Sequence, residues 1–226
     1  MKKLLLGAAA PLLLASTASF ALDYEVTVTN LTYGQVLTPP LVIAHKRSYE
    51  LFSAGDTASA ALKTLAETGN PAPLAESVMY QPDVLSATPG AGVIPPGQSM
   101  TVIVDARGVR EISVVGMLAT TNDAIYAAQG ISVRGWNPSA DAVVYDAGTE
   151  ANTELCQDLP GPPCGGAMNY EVTEGAEGFI HMHRGFHGVN QATGDQSNEA
   201  GDFYGLKASD LDWRGPAAKI QIRRVH

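Results

Sequence analysis

The stretch Ala142-Val143-Val144-Tyr145-Asp146-Ala147-Gly148-Thr149-Glu150 joins a short run of strand formers to an acidic turn that contains glycine. A strand of four or five residues closed by turn chemistry is the unit of an antiparallel all-β protein, and it recurs along the chain. Upstream, Tyr24-Glu25-Val26-Thr27-Val28-Thr29 alternates apolar with polar residues, the pattern of a strand with one buried face. Further strands are expected at Leu41–His45, Tyr49–Phe52, Met100–Val104 and Glu111–Ala119. Downstream they are expected at Tyr170–Thr173, Gly178–His183 and Ala218–Val225. The turn-rich run Pro89-Gly90-Ala91-Gly92-Val93-Ile94-Pro95-Pro96-Gly97 cannot be helix interior.

Helical spacing is confined to one region. Ala58, Ala61, Leu62 and Leu65 fall on one face between Asp56, which can cap the start, and Gly69, which can close the end. A second, shorter helix is expected at Ala72–Val78. Many short strands with few helices predict an antiparallel β-sandwich in a single domain over residues 22–226, with Gly188–Asp202 as a long exposed loop.

The chain has 226 residues, 45% hydrophobic and 16% charged, enough to bury a core. Its 14 basic and 23 acidic residues give a formal charge of -9. Nucleic acid and anionic membrane surfaces demand a basic face, so that balance argues against both as partners. Met1-Lys2-Lys3, the apolar run Leu4–Ala15 and the small residues Ser19 and Ala21 read as a secretory signal with cleavage expected after Ala21. An anchoring helix is the alternative, but the run is shorter than a span and Pro11 interrupts it. Removing Lys2 and Lys3 leaves a charge of -11 on a secreted or periplasmic chain. In an oxidising compartment the only cysteines, Cys156 and Cys164, are expected to form a disulfide, which for so short a loop stabilises by about 2.5 kcal/mol.

Three acidic residues stand in turns after strands. Asp123 lies in Thr120-Thr121-Asn122-Asp123-Ala124, and Asp146 and Glu150 lie in the turn after Tyr145. Loops at one end of a sandwich can gather all three, and Gly148 lets the backbone fold so that Asp146 and Glu150 converge. Carboxylates and backbone carbonyls are the ligands Ca²⁺ takes. The plainer alternative is that these acids are solvated and merely favour the turn.

The string Tyr145-Asp146-Ala147-Gly148-Thr149-Glu150 resembles the Tyr-Asp-Ala-Gly-Thr-Asp signature of the spondin N-terminal domain of F-spondin, mindin and bacterial secreted proteins. Thr121-Asn122-Asp123 occupies the place of that family's Ser-Pro-Asp segment. Val26–Leu31, Leu62–Leu74 with its Gly69-Asn70, and the closing Ala218–Arg224 are also similar to the family, bacterial members above all. The resemblance implies a C2-like antiparallel β-sandwich with one Ca²⁺ site at its end, held by Asp123, Asp146 and Glu150. Two positions depart from the pattern. Pro-Asp-Trp becomes Asn122-Asp123-Ala124, and the last Asp becomes Glu150, which reaches one methylene further.

The histidines form a second cluster. In Gly178-Phe179-Ile180-His181-Met182-His183-Arg184-Gly185-Phe186-His187-Gly188, His181 and His183 share a strand face and His187 can return after Gly185, a set suited to Zn²⁺ or Cu²⁺. Gly175–His183 mimics the first half of a cupin metal motif, but His187 stands where its Glu belongs and no Pro-x-Gly-x-x-His partner follows. The alternative is that these imidazoles bond loop backbone at the sandwich edge.

No nucleophile motif, phosphate-cradling loop or dinucleotide fingerprint occurs in the sequence. The expectation is a secreted, non-enzymatic calcium-binding module for adhesion, matrix or ligand recognition, meeting an extracellular protein or glycan. Its competitor is a transition-metal protein or metallohydrolase built on His181, His183 and His187.

Overall fold

The computed structural model describes residues 22–162, 164, 172–186 and 208–225. Period-two burial builds β1 (Asp23–Asn30), whose Tyr24, Val26 and Val28 point into the core. Next come β2 (Leu41–His45), the helices α1 (Ala60–Thr68) and α2 (Ala72–Val78), β3 (Val84–Pro89) and β4 (Ser99–Asp105). The chain then runs through β5 (Glu111–Met117), β6 (Ala124–Ser132), β7 (Ser139–Asp146), β8 (His181–Met182), the short helix α3 (Ala208–Leu211) and β9 (Ala218–Arg224).

All pairings are antiparallel, along the path β3-β2-β5-β6-β7-β9-β1-β4, with β8 added to β7. The path folds over at β7. Ser139–Ala142 of β7 pairs with β9, whereas Val143–Asp146 pairs with β6, so one strand serves both layers of a sandwich. Val26, Val28, Val102, Val104, Ile220 and Ile222 of one layer meet Val42, Ala44, Ile112, Val114, Tyr126 and Val144 of the other in the main core. At the ends of the path β3 lies beside β4, stitched by Ser86 Oγ donating to Asp105 O at 2.6 Å.

A second core explains why β2, β5 and much of β6 read as continuous apolar runs. Leu41, Ile43, Val115, Ile125 and Ala127 face outward from the sandwich and are covered by Leu62, Leu65, Leu74 and Val78 of α1 and α2. Strands covered on both faces lose the alternation that marks a half-exposed strand.

Four expectations are corrected. Tyr49–Phe52 is not a strand; the backbone N–H groups of Leu51 and Phe52 donate instead to Gln129 Oε1. The cap of α1 is Ser59, whose Oγ accepts from Leu62 N, while Asp56 accepts from Ser53 N; Gly69 ends the helix in the left-handed region at φ 69°. The strand expected over Gly178–His183 is only the two residues of β8, and the described part of Tyr170–Thr173 is not a strand. β3 and β6 were not expected. The signal segment, His187 and the Gly188–Asp202 loop lie outside the described residues. Among the described residues no helix is long and apolar enough to cross a membrane.

Candidate metal centre

The β5–β6 turn is organised by one hydroxyl. Thr121 Oγ1 donates to Leu118 O at 2.7 Å and accepts from Ala124 N at 3.1 Å, which sets Asp123 at the mouth of β6. Asp146 ends β7, and the β6–β7 register places it opposite Ala124, so the two acids are neighbours across the ladder. Ala147 N then donates to Asp123 O at 3.2 Å. Gly148 turns the chain at φ 67°, and a Cβ there would overlap the backbone of Phe179. Only glycine allows so close an approach in that conformation.

The turn delivers its donors to Asp123. Asp123 Oδ2 accepts from Thr149 N (2.6 Å), Glu150 N (3.1 Å) and Thr149 Oγ1 (3.2 Å). Its other oxygen, Oδ1, is buried and has no hydrogen-bond partner. Asp146 is also buried, with Oδ1 accepting from Gly148 N at 2.8 Å and Oδ2 from Asn152 Nδ2 at 2.6 Å. Burial first, and the charge of Asp146 second, push the Asp123 carboxyl up to about 7 despite the donors from Thr149 and Glu150. Glu150 is buried as well, and its carboxyl accepts from the backbone of Val172. Burial, then the charges of Glu67 and Asp123, push it up to about 8, with Lys63 pulling the other way. Thus Asp123 feels the charge of Asp146, and Glu150 joins Asp123 through its backbone while its carboxyl feels Glu67 first, so the three carboxylates do not gather their oxygens as one ligand cluster.

The disulfide between Cys156 and Cys164 is present. Its loop buttresses the same end of the sandwich, because Thr120 Oγ1 donates to Pro162 O at 2.5 Å and Gly161 packs on the backbone of Ala119 and Thr120.

On the other side of Asp146 stands β8. Its register sets His181 directly across from Asp146 and Met182 across from Tyr145. His181 Nε2 is 3.8 Å from Asp146 Oδ1 and 4.0 Å from Glu177 Oε1; His183 Nε2 is 3.9 Å from Asp146 Oδ2. Asp146, Glu177 and His181 offer three ligand atoms within 4.8 Å of one another, beside a cavity of about 670 Å³ that these residues line with Asn152 and His183. His181 and His183 of the expected imidazole trio therefore converge on Asp146.

Sequence reasoning missed Glu67, Asn152 and Glu177. No strand pattern marks Glu177, which stands in the turn segment before β8 and reaches His181 through the bends at Gly175 and Gly178. Nothing local marks Glu67, which reaches Glu150 only because α1 packs over the second sheet. No family model matches the chain, and no curated protein matches it.

Proposed function

We propose that the chain is a secreted, non-enzymatic β-sandwich module that binds Ca²⁺ at the Asp123/Asp146 end and uses the loops fixed there to meet an extracellular protein or glycan. The observation that carries this reading is Asp123 Oδ1, a buried carboxylate oxygen with no donor, next to a second buried carboxylate. That one oxygen lacks solvation that a cation would replace. Ca²⁺ is the ion that suits an all-oxygen surrounding of carboxylates and loop carbonyls, and it tolerates irregular geometry. Asp123 and Asp146 would hold it. Glu150, kept near by its N–H bond to Asp123, would supply a further carboxylate on turning from Glu67. The resemblance of Tyr145–Glu150 to the spondin signature supports the same ion and the same residues.

Calcium binding to the folded state alone stabilises by about 2.7 kcal/mol at a hundredfold excess over Kd, which for a chain of this size raises Tm by roughly 5–10 °C. Scanning calorimetry of chelator-treated protein with and without millimolar Ca²⁺ measures this. Asp123→Asn should abolish the shift; no shift in the native chain, or a full shift in the variant, sinks the assignment.

A further inference from the structure

The geometry points to a second, separate metal position on the cavity side of Asp146, built from Asp146, Glu177 and His181 and suited to a divalent transition ion of the Zn²⁺ class. The inference shares Asp146 with the calcium reading but does not depend on it, since Asp123 takes no part in lining this cavity.

Hydrogen bonding decides the state of each imidazole. His181 Nδ1 lies 3.1 Å from Met182 O. A carbonyl only accepts, so Nδ1 carries a proton, and the neutral tautomer with that bond is the one whose Nε2 presents a lone pair to a metal. That Nε2 is buried and has no hydrogen-bond partner. Its neighbours, Asp146 Oδ1 at 3.8 Å and Glu177 Oε1 at 4.0 Å, are too distant for hydrogen bonds. Three Lewis bases therefore face one another across a gap. Ligand atoms bound about 2.0–2.2 Å from one Zn²⁺ stand roughly 3–4 Å apart, so these separations fit an ion between them after a small contraction.

His183 is set the other way. Its Nδ1 accepts from Gly185 N at 3.0 Å, so the neutral ring carries its proton on Nε2, the atom that looks toward Asp146 Oδ2. The ring packs against Trp213, centroid to centroid 5.0 Å. At 3.9 Å His183 Nε2 is likewise beyond hydrogen-bond reach of Asp146, so the two histidines differ: His181 offers a ligand atom and His183 packs beside the site. Asp146 is fixed by Gly148 N and Asn152 Nδ2, the outer hydrogen bonds that orient a ligating carboxylate.

The donor set selects the ion. One imidazole and two carboxylates suit Zn²⁺ and its neighbours, whereas a site with an imidazole ligand is poor for Ca²⁺ and Mg²⁺. The only cysteines are joined to each other, so no thiolate is offered to a softer ion. Three protein ligands beside a cavity leave coordination positions for water or for an anionic group of an exogenous ligand.

The test uses the full chain after chelator dialysis. Titration calorimetry with Zn²⁺ and the visible spectrum with Co²⁺ should show one ion bound. His181→Ala and the near-isosteric Glu177→Gln should each weaken Zn²⁺ by at least about tenfold, and His183→Gln by less than either. Asp123→Asn should keep the Co²⁺ spectrum while losing the calcium shift in Tm, which separates failure of this site from failure of the calcium reading. Absence of Co²⁺ and Zn²⁺ binding at micromolar concentrations overturns the inference, as does binding unchanged in both His181→Ala and Glu177→Gln. Loss of binding in His183→Gln with retention in His181→Ala overturns the ligand set.

Discussion

β5, β6 and β7 run from one chemical environment to its opposite. At the Asp123/Asp146 end Asp123, Asp146 and Glu150 are buried, Asp123 beside the charge of Asp146, Glu150 beside Glu67 and Lys63, and Asp146 beside the imidazoles of His181 and His183. At the far end, where Glu111 pairs with Ser132 across the ladder, Lys46, Arg47, Arg110 and Arg134 surround an open cavity of about 330 Å³. There the one buried carboxylate, Glu111, accepts from Arg47 Nε at 2.9 Å. The half-buried acids nearby are paired too, Asp83 with Lys46 and Asp105 with Arg107. The net charge of -9 therefore does not describe either end. The contrast is one of partners: at the basic end a lysine or arginine satisfies each of these acids, while at the acidic end Asp123 Oδ1 is buried with no hydrogen-bond donor.

Two glycines break or sharpen that contrast most directly. Gly148 at the acidic end and Gly108 at the basic end both have left-handed backbones, φ 67° and 76°. A Cβ on Gly148 meets the backbone of Phe179, whereas one on Gly108 meets nothing. Gly148→Ala should cost about 3 kcal/mol or more from strain and overlap together, and should displace His181 from Asp146; Gly108→Ala should cost only about 1 kcal/mol. Chemical denaturation of both variants measures this, and equal losses would refute the picture of a tightly built acidic end.

Next in size is pH. Asp123 and Glu150 ionise in the unfolded chain near 4 but in the metal-free folded chain near 7 and 8. Below about 4 they are neutral in both states. Between there and 8 the unfolded chain releases protons that the folded chain retains, so metal-free stability should fall as pH rises, by on the order of a few kcal/mol. Asp83 and Asp105, held below their ordinary range by Lys46 with Ser48 and by Arg107, act in the opposite sense and only at acid pH. Stability against pH for the native chain and Asp123→Asn isolates the effect, because the variant should show a flatter decline. A metal-free curve that rises from pH 5 to 8 would contradict it.

The smallest effect belongs to the basic end. Arg47 is largely exposed, so Arg47→Ala should move Tm by less than about 3 °C at moderate salt. A larger loss would mean that Glu111 depends on Arg47 far more than on an ordinary exposed ion pair.

The sequence disclosed the sandwich and the acids of the site unequally. β1 was legible because its outer face is partly exposed and its residues alternate. β6 was not, since Ala124-Ile125-Tyr126-Ala127-Ala128 is buried on both faces and rich in alanine, leaving neither alternation nor strand propensity to read. Tyr49–Phe52 misled for the reverse reason: its aromatics pack as a strand's would, but its backbone is satisfied by the side chain of Gln129. Asp123, Asp146 and Glu150 stood out through their turns. Glu67 could not, because its approach to Glu150 is a tertiary event. His181 and His183 were legible as a pair, but their opposite proton placements follow from Met182 O and Gly185 N, which only the folded backbone supplies.

The stitch between Ser86 and Asp105 bears on the company the chain keeps in solution. A nine-stranded sheet laid flat would offer two long rims of unpaired amides to any other polypeptide. Here the outermost strands, β3 and β4, turn their rims toward each other, and Pro89 removes one more donor from β3. A protein this rich in strands thereby offers little template for edge-to-edge self-association.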